Sequence, residues 1–249
     1  MHKIEHFLFL VWILVTGLIV FGLVVCWDNG LIQEMVENDH SLICVAVIAI
    51  YAVGVLHSMW RTWVLSGELN LLARSRQVLD SESPEAPVSV AHGRVQVGDR
   101  GQLPDGFVSR YLVDLVRTKQ LSAETGKPAE SRNDILEAYA SRLRGANEFG
   151  WFLIDFNLKV GFLGTLIGFI WMLGSVSQQE LLDASMMQRV LKQMSHGMST
   201  ALNTTLVSLV AGILLSVPYY LLGRGLDELL ENTVHLTEVR LWPRMKPSS

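Results

Sequence analysis

Residues 160–176, VGFLGTLIGFIWMLGSV, and residues 197–222, GMSTALNTTLVSLVAGILLSVPYYLL, decide how this chain folds. Neither contains Asp, Glu, Lys or Arg. With its flank to Gln179, the first reaches the roughly 20 helical residues that a bilayer core takes, as the second does alone. Yet both carry Gly, Thr and Ser where a lipid-facing helix would carry Leu or Ile. A close-packed, partly hydrated helix interface follows, rather than a simple anchor.

Helical periodicity sharpens this. At about 100° per residue, Gly161, Thr165, Gly168, Met172 and Ser175 fall within about 80° of one another, as do Ala201, Thr205, Ser208, Gly212 and Ser216. Each helix therefore has one smooth, weakly polar stripe. Gly164 and Gly168 make a GxxxG pair, and helix packing through Gly161, Gly164, Gly168, Ala201 and Gly212 accounts for part of the pattern. The sharper reading places Thr165 and Thr205, one on each helix, around an ion or waters in a pore. Thr204 lies about 100° round from Thr205 and either joins that site or bonds back to its own helix. Ser208 adds a hydroxyl to the pore-facing stripe, joining Thr165, Thr205 and Thr204 as an ion-path candidate, and Pro218 is expected to bend the last helix near the inner leaflet.

Working outward, residues 7–27 and 42–60 are two more stretches without Asp, Glu, Lys or Arg and of spanning length. The expected fold is an all-α membrane protein with four transmembrane helices. Residues 1–65 hold two peripheral spans, 66–150 a cytoplasmic segment, 151–223 two pore-lining spans, and 224–249 a C-terminal helix and tail. No small-residue cleavage site follows the first span, which reads as an uncleaved helix. Of the twenty Lys and Arg, only Arg189 and Lys192 fall in the loops 28–41 and 180–196, so the opposite side, with both termini, is expected to be cytoplasmic. The formal charge of −4 averages over two compartments, and no basic run points to nucleic acid.

Within the cytoplasmic segment, residues 81–107 are rich in Pro and Gly with short alternating runs, which predicts a flexible loop or a small hairpin. Ser131 and Asp134 propose a capping box opening a helix that runs on into the third span, with Gly145 and Gly150 as weak points. Leu226, Leu229, Leu230 and Val234 continue the fourth span as an apolar face until Pro243. Helices 3 and 4 are thus both expected to extend into the cytoplasm.

No paired carboxylates, activated nucleophile or metal-spaced His cluster stand at a common membrane depth, so an enzyme is not expected and no cofactor is called for. Cys26 and Cys44 read as packing residues. An ion path normally needs an ionisable residue, and the four spans hold no Asp or Glu. If H⁺ or Na⁺ passes, another chain must bring the carboxylate. Asp155, about 15 Å before Thr165 along a helix, is a possible inner-side exit, Lys159 a snorkelling residue, and His57 an interfacial histidine.

The residues VGFLGTLIGFI (160–170), with G-x-x-G-T, and GMSTALNTTLVSLVAGILLSVPYYL (197–221), with Ser199, Ala201, Thr205 and the late Pro218, resemble the MotA/TolQ/ExbB proton channel family. This family is typified by the flagellar stator A subunit and the Ton and Tol system Q/B subunits, and the resemblance covers about a third of the chain. Four spans look more like the stator branch. The resemblance implies a homopentameric helix bundle in the bacterial inner membrane, around two copies of a single-span MotB/ExbD/TolR-like partner whose aspartate binds the ion beside the threonines. It carries Thr165 and Thr205 over as ion-path residues. The chain departs from the family in Lys159, near a usual proline, and in Ser208, where Gly is common. A non-conducting tetraspan scaffold of a cell-envelope complex is the alternative that the same stripes allow.

Overall fold

The fold was read from a computed structural model, which describes residues 7–30, 32–33, 39, 41–83, 86–91, 93–98, 101–125, 132–177 and 184–241. Among the described residues, four helices are long and apolar enough to cross a membrane: α1 (Phe7–Asp28), α2 (Ile43–Ser81), α4 (Arg132–Ser177) and α5 (Ala184–His235). A shorter helix, α3 (Phe107–Thr125), precedes α4, and six π-helical residues, Leu236–Leu241, continue α5. At 1.5 Å per residue the 46 residues of α4 and 52 of α5 run about 69 and 78 Å, over twice a bilayer core. The capping box at Ser131, the stop at Pro243 and the tail beyond it lie outside the described residues.

The helices are joined by a small sheet that a purely α reading omits. Strands β1 (Val88–Ala91), β2 (Arg94–Val97) and β3 (Gly101–Gln102) form an antiparallel meander, so the hairpin alternative for residues 81–107 is met and extended by one strand. Val88, Val95 and Val97 alternate inward, and Gly93 and Gly98 take the left-handed φ values of 74° and 63° that the bends need.

The chain divides into two compact units. One gathers Met1–Leu10, Arg61–Asn147 and Leu221–Ser249. Its core contains Leu65, Leu72 and Leu79 of α2 and Leu222, Leu226 and Leu229 of α5, both at helical spacing. Tyr111, Leu115 and Ile135 cluster where α3 meets α4, with Leu136 and Tyr139 against them. Glu68 fixes the start of α3, accepting from the Phe107 amide at 2.7 Å while pairing with Arg110 at 2.7 Å. A carboxylate there meets the unbonded N–H groups and positive end of a helix.

The other unit comprises Val11–Trp60 and Glu148–Tyr220, the charge-poor parts of the four long helices. In α1 only Trp12 is buried, and its indole donates to Ser58 of α2 at 3.3 Å. Leu14, Leu18 and Phe21 stay exposed, as a lipid-facing helix requires. Asp39 holds the start of α2 by accepting from the Cys44 amide at 2.7 Å. Cys44 is buried and Cys26 half-buried, and both are free thiols. Gly54 of α2 sits against the side chain of Leu215, and α4 and α5 pack against each other through the glycines described next.

Gly145 and Gly150, expected weak points, lie inside unbroken helix. A Cβ at Gly145 would meet nothing within 4 Å, whereas one at Gly150 would overlap the Tyr219 ring. Gly150 is therefore a socket for Tyr219.

Candidate functional site

The α4–α5 seam is antiparallel and built on missing side chains. Gly161 faces Ser208, Gly164 faces Thr204, and Gly168 faces Gly197 and Ala201. A Cβ on Gly164 would lie 2.6 Å from both Cβ and Oγ1 of Thr204. One on Gly168 would stand 2.6 Å from the Gly197 carbonyl oxygen and 2.7 Å from the Ala201 nitrogen. Gly197 is reciprocal, with the Gly168 carbonyl oxygen 2.8 Å from where its Cβ would be. With no hydrophobic force between helices in lipid, this backbone approach supplies the dispersion contact that holds the pair. Gly212 is looser, its nearest neighbour being a terminal carbon of Leu158 at 3.3 Å.

The seam divides the hydroxyls that the stripes had grouped. Thr204 and Ser208 are buried in it. Thr204 Oγ1 donates to its own helix, with the Thr200 and Ala201 carbonyls at 3.0 and 3.1 Å, and Ser208 Oγ to the Thr205 carbonyl at 3.0 Å. Of the two options for Thr204, the structure shows the back-bond. Thr165 and Thr205 sit instead at the seam's edge, Thr165 half-buried and Thr205 exposed, with their hydroxyls hydrogen-bonded to each other. Thr165 Oγ1 also lies 3.3 Å from the Gly161 carbonyl oxygen and 3.4 Å from that of Ala201, which accepts from Thr205 at 3.1 Å. Two hydroxyls and two carbonyls thus converge on a surface that another chain can reach. Such an oxygen cluster can ligate a small cation or order a water chain.

Other sequence candidates lie apart from this pair. Asp155 is exposed and bonded at 2.5 Å to Lys159, one turn on, so each charge has a partner on the outer face of α4. Pro218 is buried within an unbroken α5. No group of three or more His, Cys, Asp and Glu able to hold a metal occurs among the described residues.

Two residues not singled out beforehand, Tyr219 and Asn157, prove central to this unit. Tyr219 is fully buried, donates to the Gly54 carbonyl at 3.2 Å and has its hydroxyl 2.7 Å from Nδ1 of His57. His57, read as interfacial, is thereby tied into the helix bundle, with the Phe149 ring edge-on at 5.1 Å. Asn157 is fully buried on α4. A polar residue one turn before Gly161, on the glycine face, was its available signal.

A family model described as the MotA/TolQ/ExbB proton channel family matches residues 109–234, just over half of the 249 residues. The match runs from early α3 through both seam helices, taking in part of the segment between the second and third spans. No curated protein and no solved structure matches the chain.

Proposed function

The chain belongs to the MotA/TolQ/ExbB proton channel family, and from that footing we propose that it is the ion-conducting subunit of a two-component motor or energy transducer. It is a multi-pass membrane protein carrying a channel-family domain, and that family is not one of enzymes. On our reading it passes H⁺ or Na⁺ and couples the ion-motive force to mechanical work. One charge crossing about 100 mV releases about 2.3 kcal/mol for that work.

The observation that carries the reading is the Thr165–Thr205 pair, presented at the seam's edge on spans that lack any Asp or Glu. Hydroxyls pass an ion along but do not neutralise it, so the acid comes from outside. We assign it to a single-span partner, two copies of which stand inside a pentamer of this chain. Thr165 and Thr205 then line the path, and Thr204 and Ser208 shape the seam that holds them. The chain lies in a bacterial inner membrane with both termini and the far ends of α4 and α5 cytoplasmic, and Asp155 lies toward the inner exit. The transported ion is the only small species required.

The same glycine seam would serve a non-conducting tetraspan scaffold, and assembly separates the two. Native mass spectrometry of the complex purified in mild detergent is expected to give five copies of this chain with two of a single-span protein. A monomer, dimer or tetramer without that partner would favour the scaffold.

A further inference from the structure

Asn157 has a side chain that is 0% exposed, and among the described residues neither its amide nitrogen nor its amide oxygen has a hydrogen-bond partner. Its position on α4 is bracketed. Seven residues earlier, Gly150 receives the Tyr219 ring; four residues later, Gly161 receives Ser208. By helical phase all three share the face turned to α5. Because its own chain encloses it completely, neither a second copy nor a partner subunit reaches the amide. Buried polar groups are almost always bonded, and where the protein supplies no partner, ordered water does.

Asn157 also fills the gap in a row of polar groups. Measured along α4, Gly150, Asn157, Gly161 and Thr165 stand at about 0, 10, 16 and 22 Å. At the first level lies the Tyr219 hydroxyl with His57, at the third Ser208, and at the last the threonine pair. Between Ser208 and Tyr219 along α5, Gly212, with no side chain, and Ser216 are flanked by apolar residues. An amide both donates and accepts, so a single side chain there can hold a water in either orientation.

Resting on the reading of Thr165 and Thr205 as an ion path, we propose that Asn157 anchors a buried water site. This site carries the path inward through the core of one subunit to the His57–Tyr219 pair.

Radiolytic hydroxyl-radical footprinting of the assembled wild-type protein tests the water site without requiring conduction. Tyr219, though buried, is expected to be labelled, with the exposed Tyr220 as internal reference. Asn157→Leu is expected to cut Tyr219 labelling about tenfold, the scale of one lost hydrogen-bonded position, and to leave Tyr220 unchanged. Ion flux through vesicles holding the complex with its partner should fall by about the same factor in Asn157→Leu. An unlabelled Tyr219 in the wild type, or a Leu variant labelled and conducting like the wild type, overturns the proposal. The wild-type footprint stands even if the Leu variant does not assemble. A labelled Tyr219 in a complex that passes no ion keeps the water site and refutes the ion-path reading on which its role rests.

Discussion

Thr205→Ala is expected to abolish ion-driven work while the assembled complex persists. Thr205 is exposed, and among the described residues its hydroxyl bonds to Thr165 and the Ala201 carbonyl, so truncation opens no void in the seam. Replacing Thr by Ala inside a helix also recovers a few tenths of a kcal/mol of backbone propensity. What disappears is one of the two hydroxyls at the convergence of four oxygens. Losing that ligand should cut flux by more than about tenfold, since each 1.4 kcal/mol on a barrier is a factor of ten. Thr204→Ala is the informative contrast. Its side chain fills the space over Gly164, so removal leaves a void costing about 1–2 kcal/mol, while flux per assembled complex is retained. Native mass and vesicle flux measured on the same preparations distinguish the two outcomes. Full flux in Thr205→Ala would remove the threonine pair from the path.

Gly168→Val should have the largest effect on stability. The new Cβ would meet backbone atoms, the Gly197 carbonyl oxygen at 2.6 Å and the Ala201 nitrogen at 2.7 Å, rather than the flexible end of a side chain. Neither can move without shifting α5, so the helices must separate along the seam. The expected cost is about 3 kcal/mol, the upper end of the usual overpacking range, read as a lower melting temperature in detergent. Gly17→Ala on α1 serves as control, because a Cβ there meets nothing within 4 Å and the melting temperature should hardly change. A Gly168→Val protein that melts like the wild type would contradict the seam as described.

Much of this fold is legible in the sequence because lipid imposes simple rules. Charge-free runs of spanning length predict α1, α2, α4 and α5, and each is found as a long apolar helix. Gly161, Gly164 and Gly168 read as a packing face because close approach of backbones needs small residues at that spacing, and the structure puts all three against α5. The helical wheel was less decisive on α5. It placed Ser208 and Gly212 with Thr205, whereas contact with α4 centres on Ala201, Thr204 and Ser208 and leaves Thr205 at the rim. Phase within one helix cannot reveal that division, because the glycines of the opposing helix fix which side is buried. The His57–Tyr219 bond joins residues 162 positions apart, and the socket that Gly150 offers Tyr219 exists only once the helices have packed. The meander was half visible: its alternating valines predict strands, while the short third strand, Gly101–Gln102, has too few residues to show a period.

On the proposed function, these threonine-lined spans conduct only with an acid supplied by another chain. The most direct measurement is ion flux at fixed voltage through vesicles containing this chain alone, this chain with the proposed single-span partner, or this chain with that partner's membrane aspartate changed to asparagine. Flux is expected only with the intact partner. Equal flux from the chain alone, or from the complex with the asparagine partner, would contradict it.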